Sequence, residues 1–162
     1  MTLDTSALAK TFIASLLPGV EGRYAVVVGV KLGLSLQAAV ASSLAGVALL
    51  SLALPALLAW GEALAEKLAR RGGLLARLAN LYFRYAGSAR RRAEPFVRRY
   101  GFLGLVLFVS IPFPATGIWT GSLAAHLLGV EKRLTHAALL LGGALSVGIM
   151  VATGQIYSSV AG

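Results

Sequence analysis

Three stretches of this chain, residues 32–61, 100–130 and 134–162, contain no Asp, Glu, Lys or Arg. No other feature limits the fold as strongly, because a helix needs about 20 apolar residues to cross a hydrocarbon core about 30 Å thick. The first and third stretches meet that requirement as single helices, from about Ser35 to Trp60 and from about Thr135 to Tyr157. The middle stretch does not. As one helix its 31 residues would run about 46 Å, too long for one crossing and too short for two. It is interrupted by Ile111-Pro112-Phe113-Pro114-Ala115-Thr116-Gly117, where two prolines remove backbone donors and disfavour helix in the residues before them. The expected form is a re-entrant hairpin, with a half-helix over 102–110, a break, and a half-helix over 117–128. Irregular backbone at membrane depth persists only where protein or a wet cavity satisfies its polar groups.

The N-terminal segment has the same layout: an apolar helix over 8–17, an interruption at Pro18-Gly19-Val20-Glu21-Gly22-Arg23, and an apolar continuation over 24–32. Asp4 stands where a signal peptide would carry its basic region and no cleavage-site pattern follows, so the segment is read as part of the fold. Offsetting the chain by 96 residues superimposes Phe12 on Phe108, Pro18 on Pro114, Leu32-Gly33 on Leu128-Gly129 and Gly46 on Gly142. Positions 12–49 then share nine gapless identities, placed at the breaks, at the turns and within the spans. The unit is a hairpin plus a span, present twice. One crossing separates the copies, so they are inverted and both breaks meet near the midplane, where many secondary transporters bind substrate. The expected architecture is all-α and integral to the membrane. It is a single domain, 1–162, with repeat 1 over 5–60, a basic amphipathic connector over 61–99 and repeat 2 over 100–160.

Composition agrees with this reading. Hydrophobic residues make up 57% of the chain and charged ones only 13%, against about 25% charged in a soluble domain, which excludes a water-soluble monomer. Of the 15 Lys and Arg behind the net charge of +9, ten lie between Lys67 and Arg99 and two are Lys132 and Arg133. By the positive-inside rule the connector is cytoplasmic and both termini are external, in a multi-pass protein of the cell membrane. Within the connector Leu64, Leu68, Leu74, Leu75, Leu78, Leu81, Tyr82 and Tyr85 recur at helical spacing, and Arg70, Arg77, Arg84, Arg91 and Arg98 fall seven apart. This predicts surface helices on anionic headgroups, broken near Gly72-Gly73 and Gly87-Ser88 and ended by Pro95. A nucleic-acid binder spreads its basic residues over a solvated face; here they adjoin a membrane, so nucleic acid is not an expected partner.

Only Glu21 and Arg23 place ionised groups at membrane depth, and burying charge there is costly enough to mark a functional site. Each hairpin's second half-helix presents its N-terminal N–H groups and positive dipole end to the midplane. Two such ends, near Gly22 and Gly117, together with Arg23, suit a phosphate or carboxylate headgroup. Thr116, Thr120 and Ser122 can add hydroxyls and Trp119 an amphipathic wall. The expected substrate-binding residues are therefore Arg23, Thr116, Gly117, Trp119 and Thr120, and Pro18, Gly19, Pro112 and Pro114 shape the loops. Glu21 is the ion-coupling candidate, through exchange between a proton and Arg23; the alternative is that the two charges form a buried pair or bind the backbone of the break. Gly29-xxx-Gly33 and Gly117-xxx-Gly121 allow close helix packing. With no Cys and only His126 and His136, both read as structural, no metal site is expected. No cofactor and no catalytic residue is read, because no nucleophile–base pair is visible.

Leu17-Pro18-Gly19-Val20-Glu21-Gly22-Arg23, Arg99-Tyr100-Gly101-Phe102-Leu103-Gly104 and the run Phe108-Val109-Ser110-Ile111-Pro112-Phe113-Pro114-Ala115-Thr116-Gly117-Ile118-Trp119 resemble the small multidrug export proteins. The resemblance covers nearly the whole chain, and Pro-x-Pro-x-Thr-Gly-x-Trp is its most specific piece. The layout is also similar to the broader DedA (VTT-domain) superfamily, associated with moving lipid carriers such as polyprenyl phosphate and with proton-linked drug resistance. That likeness implies an acidic residue in the first loop, matched by Glu21, and arginines in the second loop. The second loop here has none, and Arg23 stands in for part of that role.

Three functions follow as expectations. The first is a homodimeric transporter that flips an anionic amphiphile such as a polyprenyl-phosphate lipid, driven by a proton or sodium gradient, with anionic membrane lipids as partners. The second is an exporter of small organic cations with Glu21 as counter-ion. The third is a non-transporting membrane scaffold whose basic face recruits partners or lipid.

Overall fold

The computed structural model describes residues 4–71, 73–113 and 115–153, and every element among them is a helix. The order is α1 (Thr5–Leu16), α2 (Glu21–Lys31), α3 (Leu36–Ala69), α4 (Gly73–Ser110), α5 (Ile118–Leu127) and α6 (Lys132–Ala152). Two of them, α3 and α6, are long and apolar enough to cross a membrane, with mean hydropathies of 2.0 and 1.8. Their large side chains divide accordingly. Leu54, Leu139 and Val147 are buried in the core, while Leu49, Leu52, Leu57, Leu140, Leu141 and Leu145 point outward.

Helices α1, α2 and α5 have 12, 11 and 10 residues, about 15–18 Å each, roughly half a bilayer core. Asp4 caps α1 by accepting from the Ser6 and Ala7 N–H groups. Leu17 ends it in an extended conformation, as a residue before proline prefers. Helix α2 starts at Glu21, with φ of +49°, and α5 follows Gly117, with φ of +108°. Both stop alike. The N–H of Gly33 bonds the Val30 carbonyl and that of Leu34 the Gly29 carbonyl; 96 residues on, Gly129 bonds His126 and Val130 bonds Ala125. This is the paired bonding of a Schellman stop, which needs the left-handed backbone that Gly33 and Gly129 adopt at +86° and +70°.

The spans pack antiparallel. The Ser51 carbonyl of α3 meets His136 of α6, and Val47, one turn back on α3, lies over Gly143, further along α6. Two glycines seat α1 and the 102–110 arm of α4 on them. A side chain at Gly46 would collide with Ser15 of α1, and one at Gly142 with Val106 and Val109 of α4.

The boundaries differ from expectation in the connector. Helix α3 continues past Trp60 to Ala69, so the connector is drawn from two elements. Helix α4 runs unbroken through Gly87-Ser88 and Pro95. Ala79, Ala86, Ala89 and Ala93 hold one face against the core, which outweighs the cost of about 1 kcal/mol of a helical glycine. Pro95 lies on the exposed side, where the carbonyl it leaves free need not be buried. The sharp turn comes instead at Gly101, with φ of +56° and ψ of −127°, which folds the 102–110 arm back until Gly104 rests on the Phe96 carbonyl. Pro114, Gly72 and the expected end of the last span toward Tyr157 lie outside the described residues.

Candidate functional site

The two interrupted segments meet. Glu21 and Arg23, 4% and 3% exposed, lie in the first turn of α2, and each reaches across to the second interruption. The Glu21 carboxylate accepts the Ile118 N–H at 3.0 Å and the Trp119 N–H at 3.4 Å, so it sits on the N-terminus of α5. This is the position where the helix's unpaired donors and dipole favour negative charge. The Arg23 Nη1 donates to the Ile111 and Phe113 carbonyls at 3.1 and 3.3 Å and to Thr116 Oγ1 at 3.2 Å. Its Nη2 donates to the Thr116 carbonyl at 2.8 Å and lies 3.9 Å from Glu21. In return the Trp119 indole N–H donates to the Leu16 carbonyl at 3.2 Å, satisfying an acceptor in the last turn of α1. Two separate constraints call for glycine at the start of α5: its φ of +108°, and the Glu21 carboxylate, which a side chain at Gly117 would strike.

Beside this lattice lies a cavity of 460 Å³. Seven of the residues singled out from sequence line it: Pro18, Gly19, Glu21, Arg23, Thr116, Trp119 and Thr120. Gly117 is buried against Glu21 rather than facing the space. Pro112 is half-buried in the second loop outside the cavity wall, and Ser122 is buried with its hydroxyl unpartnered among the described residues. The arrangement differs from the anion site expected from sequence in one respect. The Ile118 and Trp119 N–H groups at the α5 N-terminus and both Nη atoms of Arg23 are taken by the protein's own groups, while among the described residues the buried Arg23 Nε has no partner. Glu21 and Arg23 together make the wall electroneutral.

Two tyrosines complete the wall and were not singled out as site residues. Tyr24 places its ring 5.3 Å from the Arg23 guanidinium carbon, a cation–π distance. Tyr85, on α4, bonds the Thr120 hydroxyl at 3.0 Å. The adjacency of Tyr24 to Arg23 is a weak signal for the first, whereas Tyr85 is indistinguishable in sequence from the rest of the amphipathic stripe. At the far end of α5, His126 meets Glu62 of α3 through Nε2, a carboxylate neighbour 64 residues away in sequence. Nearby, partial burial and the negative charge of Glu62 push the Tyr82 hydroxyl up from its ordinary value.

A family model described as "Putative small multi-drug export protein" matches residues 21–149. Comparison with curated proteins and with solved structures gives no match.

Proposed function

This chain belongs to the small multi-drug export protein family, and since two of its helices are long and apolar enough to cross a membrane, we propose that it is a membrane protein that exports small amphiphilic organic molecules, cations among them, through the cavity described above. The observation that carries this reading is the joint placement of Glu21, Arg23, Tyr24, Tyr85 and Trp119 around one space of 460 Å³, within the range of about 300–1,000 Å³ of small-molecule sites. Aromatic faces and a buried carboxylate suit a lipophilic cation.

Coupling follows from what holds the two halves together. Glu21 bridges to α5 only as an acceptor, so a proton taken by its carboxylate, or a substrate cation competing for it, weakens the link between the first and second interruptions. The Schellman stops 96 residues apart and the antiparallel α3 and α6 support two inverted repeats. The half-span lengths of α1, α2 and α5 support re-entrant hairpins. In this reading one repeat rocks against the other about the cavity, as inverted-repeat transporters do. The arginines of the connector face the cytoplasm.

A second reading, translocation of an anionic amphiphile such as a lipid phosphate, rests on the unpartnered Nε of Arg23. Proteoliposomes distinguish the two. Ethidium efflux driven by an imposed pH gradient, abolished by Glu21→Gln in a protein that still folds, supports the first. Transbilayer movement of a fluorescent lipid phosphate without ethidium movement replaces it with the second, and movement of neither overturns both.

A further inference from the structure

Where α3 and α6 run side by side, a groove of 390 Å³ opens on the outer surface and shares no residue with the central cavity. Its floor is Ala48, Ser51 and Ala137, whose small side chains leave a furrow between two antiparallel helices. Leu52 and Leu140, 66% and 45% exposed, form its two walls. Arg133, in the first turn of α6, closes one end, and His136 lies one turn deeper. The His136 ring is fixed by its Nδ1 bond to the Ser51 carbonyl at 2.7 Å, which leaves Nε2 for an occupant. No carboxylate stands among the described lining residues, so the groove supplies no counter-charge to Arg133.

The two ends ask for different chemistry in one molecule. An anion at Arg133 satisfies the charge, and a hydrocarbon chain along Leu52 and Leu140 fills the furrow. Both walls belong to the helices that are able to cross a membrane, and Arg133 precedes the uncharged stretch of α6, the depth at which headgroups begin. We infer that this groove holds one membrane phospholipid, its phosphate on Arg133 and one acyl chain between Leu52 and Leu140. The lipid acts as a staple between α3 and α6, stabilising the folded pair by mass action. It lies outside the proposed transport path and does not depend on what that path carries.

Native mass spectrometry of the full chain in mild detergent tests this, with phosphatidylglycerol and phosphatidylethanolamine titrated in turn. One phospholipid per chain is expected to be retained. Arg133→Gln should weaken retention about fivefold, the effect of one basic residue at a headgroup. Arg133→Lys should largely preserve it, and Ala137→Leu, which fills the furrow, should reduce it for both lipids. Thermal melting without lipid checks that each variant is folded; Arg133 is exposed, so its variants are expected to melt like the parent. Unchanged retention in Arg133→Gln overturns the site. So does an equal loss on Arg70→Gln, which would make the effect one of overall charge, and so does displacement by inorganic phosphate, which would make the ligand a free anion.

Discussion

Glu21→Gln hardly alters side-chain volume but removes the charge that faces the Ile118 N–H at 3.0 Å, the Trp119 N–H at 3.4 Å and the Arg23 guanidinium at 3.9 Å. A hydrogen bond to a charged group contributes about 1.5–3 kcal/mol, and the longer of the two contributes less. Removing one partner of a buried ion pair costs about 3–5 kcal/mol when the other is left without compensation. Arg23 keeps four oxygens of the second loop, so the pair's loss falls below that range. Glutamine also retains one carbonyl to accept a single N–H. The net is about 3 kcal/mol, which for a chain of this length lowers Tm by roughly 6–12 °C. Thermal unfolding of the purified protein in detergent, followed by tryptophan fluorescence, measures it. A cycle with Arg23→Gln should show coupling of about 1 kcal/mol or more, as expected of groups in contact. A fall of less than about 2 °C, or additive losses in the double variant, refutes the idea that these two residues brace one interruption against the other.

Gly117→Ala forces a side chain into the Glu21 carboxylate at a backbone conformation essentially reserved for glycine; the expected outcome is aggregated material in size-exclusion chromatography. Gly104→Ala should be nearly as damaging, because it meets the immovable Phe96 carbonyl, whereas Gly129→Ala meets open space and should lose only about 1–2 kcal/mol from its left-handed backbone in the same melting assay. Tyr85→Phe removes the bond to Thr120; Tm should shift by no more than about 1–3 °C while the KM for ethidium efflux rises, and an unchanged KM would take Tyr85 out of the cavity's function.

Much of this architecture is legible in the sequence because it is written in local chemistry. The uncharged stretches mark α3 and α6, Pro18 marks the end of α1, and Gly33 and Gly129 mark the stops of α2 and α5. Glu21 and Arg23 stand out because charge is rare at such depth. What they touch is not legible, since each bonds residues 88 to 98 positions away and nothing local announces a helix N-terminus already capped by a carboxylate from the other half. The connector misleads for the opposite reason. Gly87 and Pro95 carry strong local breaking signals, but packing of Ala86, Ala89 and Ala93 along one face overrides them. Gly101 stands directly before residue 102, where the half-helix is expected to begin, and there the glycine signal holds: the backbone turns at φ +56°.

That corner makes α4 a crank. Its long arm carries Arg77, Arg84 and Arg91, and its short arm ends at Ser110, directly before the loop that Arg23 holds. At the corner the arms are in direct backbone contact, Gly104 against the Phe96 carbonyl, so a displacement of the long arm presses on the short one. A ligand that never enters the cavity can therefore act on it. A binder clamped on the basic arm, such as an antibody fragment, would immobilise the second interruption from outside, giving a route to inhibitors that need not compete with whatever the protein carries.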